Sequence, residues 1–222
     1  MLIDAHSHKI FPGPQIIVNV HTIAVHPWDF ILPFDRVAFD LEWSILKKQI
    51  GHIHAIGECG IDRVHDGIAG IEDQKYVLNK HFELATALNL PIILHTVRAY
   101  SDLLEMLKIN KFHNNIMLHA YGGNDHEMHE LLKYPVYFSY GKRLFNTDKM
   151  LRMTPIDRLL LETGDQDEYS ISDIYNKAAD SLGIKLSTLE SQLEKNFLTF
   201  FNKLDDVSSS NFIKDLNTRK SR

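Results

Sequence analysis

The two imidazoles of His6-x-His8 fall on one side of an extended segment, because side chains there alternate with period two, and that spacing lets both bind one ion. Glu58, His95 and His119 add a carboxylate and two further imidazoles, each at the point where a short apolar run gives way to polar or glycine residues. Glu58 is suited to bridging two ions, with His95 and His119 offered to the second. Imidazole and carboxylate donors without thiolate suit zinc, manganese or magnesium. The chemistry of such a set is hydrolysis by activated water. Carboxylates gather again at the end of the last apolar run and after it, at Glu162, Asp165 and Asp167.

Other histidine groupings read as structural. His52-Ile53-His54 falls at the entrance of a strand, on the face opposite the proposed site. His126-Glu127-Met128-His129 is one residue short of the four-residue step a zinc-protease helix needs, and reads as a solvated helix face. His21, His65, His81 and His113 are assigned no ligand role.

The elements that must position the ligand set follow from periodicity. Apolar runs at 2–6, 16–25, 53–58, 91–95, 116–119, 136–139 and 158–162 predict strands, and helical spacing at 34–50, 71–89, 98–108 and 126–133 alternates with them. Two closing helices carry start signals, Ser170-x-x-Asp173 and Ser187-x-x-Glu190, with Gly183 ending the first. Alternating strands and helices predict an α/β fold with a parallel sheet, a TIM-type (β/α) barrel. In that fold the C-terminal ends of all strands open onto one face, so ligands scattered along the chain converge.

Composition permits such an enzyme and narrows its setting. With 222 residues, 44% hydrophobic and 24% charged, the chain can bury one substantial core. A single domain is expected over 1–204, followed by a polar, frayed tail at 205–222. A net charge of −5 gives no overall attraction to nucleic acid, so a polyanionic substrate needs bound cations or a local basic patch. One cysteine, Cys59, excludes an intramolecular disulfide framework and fits a reducing compartment. It is expected to point away from Glu58's side. No run is long and apolar enough to suggest a membrane span, and a cytoplasmic location is expected.

Five stretches together carry a family likeness: Asp4-Ala5-His6-Ser7-His8, Ala24-Val25-His26-Pro27-Trp28, Ile56-Gly57-Glu58-Cys59-Gly60-Ile61-Asp62, Leu90-Pro91-Ile92-Ile93-Leu94-His95 and Met117-Leu118-His119-Ala120-Tyr121-Gly122-Gly123. In order and type they resemble the motifs of the TatD-type metal-dependent deoxyribonucleases, which are amidohydrolase-like TIM barrels. Gln74, Arg98 and Tyr137-Phe138-Ser139-Tyr140-Gly141 extend the likeness to about residue 203. The resemblance implies two divalent ions, one held by His6 and His8 and the other by His95 and His119, with Glu58 bridging. It also implies 3′-to-5′ exonuclease action on DNA or an oligonucleotide. The protein is expected to be a monomer with no obligate protein partner.

Two departures modify that expectation. His8 and His26 are only 18 residues apart, too few for the family's first helix, so the barrel is expected to be incomplete or distorted near its first three strands. Glu162-Thr163-Gly164-Asp165 puts glycine where the resembled motif has its catalytic aspartate. Asp165 replaces it, as ligand and general base, if Gly164 takes a backbone shape closed to other residues. Glu162 is the alternative carboxylate and Asp167 a more distant one; with no replacement the metal site is weak. His26 and Arg98 are candidates for contact with a substrate phosphate, against a rigid turn for the first and a helix carboxylate for the second. The competing functions are a catalytically weakened metal-binding barrel with a binding or regulatory role, and hydrolysis of another ester or an amide.

Overall fold

The computed structural model describes residues 2–8, 16–17, 22–48, 50–51, 53–65 and 67–202. The segment 205–222, expected to be frayed, lies outside them, as do His21 and His52. The chain forms two compact units, one of residues 1–20 with 115–222 and the other of residues 21–114.

The first unit opens with β1 (Leu2–Ile3), which pairs in parallel with β2 (Ile16–Ile17). Within the run expected over 16–25, the described residues also include β3 (Thr22–Ile23), which belongs to the second unit. That unit continues with a 3₁₀ turn (Pro27–Asp29), α1 (Arg36–Lys48), β4 (Ala55–Asp62), α2 (Ile71–Leu88), β5 (Ile92–Val97) and α3 (Tyr100–Asn110). The first three strands are two residues long, against eight for β4 and six for β5.

In the second unit β3, β4 and β5 run parallel. Helix α2 buries Val77, Leu78, Phe82 and Ala85 and packs against β4, whose Ile56, Cys59 and Ile61 are buried. The β4–β5 register slips between Ile56 and Cys59. That irregularity brackets Glu58, and a bulge in a strand is a means of re-aiming one side chain. Strand β4 runs on four residues past Glu58, so Glu58 is not at the strand end where it was expected. The glycines at 57 and 60 let β5 approach: a Cβ on Gly57 would meet the Ile93 backbone and one on Gly60 the His95 carbonyl.

His81, on α2, is fully buried. Its Nδ1 lies 2.8 Å from the Val77 carbonyl, and its Nε2 accepts the Val25 N–H at 2.9 Å, which ties the helix to the segment carrying His26. Burial lowers its pKa to about 4, the Val77 hydrogen bond acting weakly the other way. An unfolded chain binds this proton near 6.5, so the contribution of His81 to stability is complete above that pH and is lost as the pH falls towards about 4. The loss is on the order of 3 kcal/mol. Urea midpoints should fall across that window. His81→Leu should flatten this slope while costing about 1–3 kcal/mol at pH 7.5 through the unsatisfied Val25 N–H; an unchanged slope would assign the acid sensitivity to other groups.

The chain then returns to the first unit through β6 (Ile116–Leu118), α4 (Asp125–Leu131), β7 (Val136–Tyr140), α5 (Lys149–Met153), β8 (Leu159–Leu161), α6 (Ile171–Leu182) and α7 (Leu186–Phe200). Strands β6, β7 and β8 are parallel. The Ala5 N–H donates to the Leu161 carbonyl, which places the N-terminal segment alongside β8. Helix α7 covers β1 and β8, and its buried Asn196 donates to the carbonyls of Ile156 and Leu159. Helix α6 starts with the Ser170/Asp173 capping box and ends at Gly183, as expected. Helix α7 begins at Leu186 with Lys185 as its N-cap, so Ser187 is inside the first turn and does not cap it.

Candidate active site

In the first unit, two motifs are stitched into one extended pair. Asp4, buried, accepts hydrogen bonds from the Thr163 N–H (3.0 Å) and hydroxyl (2.6 Å), and burial nevertheless pushes its carboxyl up to about 6. Gly164 donates to the His6 carbonyl (2.9 Å) and accepts from the His8 N–H (3.0 Å). With the backbone clamped on both sides of Ser7, His6 and His8 face the same way and their Nε2 atoms stand 3.2 Å apart. Two nitrogens bound about 2.1 Å from one tetrahedral ion are separated by roughly 3.4 Å, so this pair fits a shared metal.

His119 follows β6, its ring 4.8 Å from that of His6. The Glu162 Oε1 atom lies 3.1 Å from His119 Nδ1 and accepts the Ala120 N–H at 2.9 Å. Burial pushes the Glu162 carboxyl up, but the imidazoles of His119 and His6 outweigh it and hold the group below its ordinary value. An ionised acceptor on Nδ1 leaves the Nε2 lone pair of His119 for an ion, the arrangement that orients metal-binding histidines generally.

The second unit carries a matching set. Ligand atoms of His26, Glu58 and His95 all lie within 4.8 Å of one another. His95 Nδ1 is 3.0 Å from Glu58 Oε1, and His95 Nε2 is 3.0 Å from Asp62 Oδ2. Burial raises the Asp62 carboxyl, but hydrogen bonds from His95, Trp28, Val64 and His65 bring it down to about 2. Asp62 is thus an anion that holds the Nε2–H, leaving the Nδ1 lone pair on the side of Glu58. The donors and their supports fit a divalent cation.

The expected residues therefore fall into two groups: His6, His8, His119 and Glu162 in one unit, His26, Glu58 and His95 in the other. Gly164 does adopt a left-handed backbone, with φ of +64°. Asp165 is exposed and, among the described residues, makes no hydrogen bond or ion pair. Arg98 is likewise exposed and has no carboxylate partner among them. His126 and His129 are exposed on α4, His54 is buried, and Cys59 is buried in the core. Sequence reasoning missed Asp62, although it closes a quoted motif, and missed Trp28 and His65, whose rings stack. It also missed Arg143, whose exposed guanidinium lies against Gly122, where a Cβ would collide with it.

Comparison with known proteins agrees with these motifs. The sequence profile of the family described as TatD related DNase matches residues 16–202. The uncharacterized metal-dependent hydrolase YabD of Bacillus subtilis (strain 168) is 32% identical over 149 residues, covering 64% of this chain and 56% of that protein. The deoxyribonuclease TATDN3 of Homo sapiens is 24% identical over 204 residues, covering 82% of this chain and 74% of the relative. The chain thus spans little more than half the length of the first of these. Among solved structures, the TatD homolog YJJV of Escherichia coli K12 superposes with a TM-score of 0.70 at 21% identity, covering 82% of this chain and 76% of the other. That likeness fixes the fold class as the TIM-type α/β barrel.

Proposed function

The chain belongs to the TatD related DNase family, and on that premise we propose that it is a metal-dependent phosphodiesterase that removes nucleotides from the 3′ ends of DNA or short oligonucleotides. In this proposal two divalent ions are used, His6, His8 and His119 serving one and His26, Glu58 and His95 the other. Bound there, the ions would lower the pKa of water and offset charge on the phosphoryl oxygens. They would also compensate for the net charge of −5. The observation that carries the proposal is the chain of contacts Glu58–His95–Asp62, a ligand-type carboxylate and an imidazole backed by an ionised orienting group.

Each side chain has a task in this scheme. Glu162 and Asp62 hold His119 and His95 in the tautomers a ligand needs. Asp165, exposed beside the glycine that clamps His6 and His8, completes the first ligand set and takes the proton of the attacking water. His26 and Arg98 meet the substrate phosphate, and Arg143 adds a further cation. The test is a 5′-labelled single-stranded oligonucleotide incubated with the chain in magnesium, manganese or zinc. Stepwise shortening from the 3′ end, stopped by a chelator, is expected; no cleavage of any phosphodiester with any of the three metals would overturn the proposal.

The missing family aspartate yields a sharper expectation. Asp165→Ala should lower turnover about 100-fold at unchanged thermal stability, since its carboxylate is exposed. Glu162→Gln should instead weaken metal binding about 10–100-fold through a loosened His119. If Asp165→Ala keeps wild-type metal content and turnover, the carboxylate role passes to Glu162.

A further inference from the structure

Trp28 stands beside the second unit's ligand set in a way the metal chemistry does not require. Its ring stacks on His65, centroids 4.3 Å apart and planes 16° from parallel, and meets the rings of His26 and His95 edge-on at 5.0 and 5.3 Å. Trp28 is 48% exposed and His65 is exposed as well. The indole N–H is committed to Asp62 Oδ2 at 2.9 Å, so the exposed surface left to a ligand is aromatic carbon.

One carboxylate keys this stack to the metal ligands. Asp62 Oδ2 contacts both Trp28 Nε1 and His95 Nε2, while Asp62 Oδ1 accepts the backbone N–H groups of Val64 and His65 at 2.7 and 3.0 Å. The position of the stacked rings relative to His95 is therefore set by a buried anion and not by loop drift. A π-surface held at fixed distance from a phosphate-processing centre matches a nucleobase, which every nucleotide carries and which stacks on aromatic rings with little regard to sequence.

We propose that the Trp28–His65 stack is the seat of the terminal nucleobase of the substrate. This rests on the phosphodiesterase proposal above and adds a recognition element to it. Purines, with more ring area, should seat better than pyrimidines.

The experiment is an equilibrium titration of the full chain, followed by fluorescence anisotropy, with two short single-stranded oligonucleotides labelled with fluorescein at the 5′ end. Both carry a phosphorothioate at the terminal linkage to block cleavage; one ends in adenine at its 3′ nucleotide and the other in an abasic site. The adenine-ended probe should bind about tenfold more tightly. Trp28→Ala and His65→Ala should each reduce that ratio to within about twofold, and Trp28→Phe, which keeps a ring but loses the bond to Asp62, should retain most of it. A merely structural Trp28 would weaken both probes equally. Equal affinities for the two probes in the wild type, or a ratio unchanged in His65→Ala, would overturn the inference. Hydrolysis of the unmodified oligonucleotides separates the two proposals: a chain that cleaves but ignores the terminal base refutes only this one. A chain that binds through Trp28 but does not cleave supports this one and refutes the nuclease.

Discussion

Glu58→Gln is expected to reduce phosphodiester hydrolysis about 1000-fold and to leave the fold intact. The substitution keeps size and shape but removes the negative charge that Glu58 brings to a metal ion. Glu58 sits at the β4 irregularity, with its carboxylate 3.0 Å from His95 Nδ1 and 3.5 Å from His26 Nε2. A glutamine can still accept or donate there, so the cost to stability should stay within about 1 kcal/mol. Metal content should fall together with activity. Near wild-type turnover in Glu58→Gln would remove Glu58 from the catalytic set and make its contact with His95 structural.

Gly60→Ala should be among the most destabilising single changes in the second unit. Gly60 has φ of +153°, a conformation L side chains rarely adopt, and it pairs with His95 across the β4–β5 ladder. A methyl group at that position would run into the His95 carbonyl, a backbone atom that can yield only by moving β5. Overpacking and backbone strain together should cost on the order of 3 kcal/mol, read as a lowered urea midpoint at unchanged slope. Because the strand that must move carries His95, the surviving folded fraction should also bind metal less tightly. A loss below about 0.5 kcal/mol would show that β4 and β5 approach less closely than described.

Both predictions turn on features of unequal visibility in the sequence. The ligand-type residues were legible because strand periodicity and the resemblance point to the same positions, His6, His8, Glu58, His95 and His119. The end of β4 was not, since Gly60 breaks the apolar run and looks like a terminator until the neighbouring backbone that requires it is known. Reading the strand as closed at Glu58 hid Asp62 in its supporting role. The Trp28–His65 stack joins residues 37 positions apart through side chains alone, and no local pattern announces such a contact. The hold of His81 on Val25 depends on a helix and a strand exit meeting in three dimensions. At α7 the box-like Ser187-x-x-Glu190 pattern lost to a helix start at Lys185, where the Thr188 and Leu189 N–H groups bond the Lys185 carbonyl. The Glu162-to-Asp165 stretch was readable as a departure from the motif, and the left-handed Gly164 supplies its local geometry without itself assigning the carboxylate.

The most direct test of the account is the number of manganese or zinc ions bound per chain, measured by equilibrium dialysis for the wild type, Glu58→Gln and His119→Ala. Two ions on the wild type, with weakened binding in both variants, is the predicted result. A folded wild-type chain that takes up no divalent ion, or variants that bind as the wild type does, would contradict it.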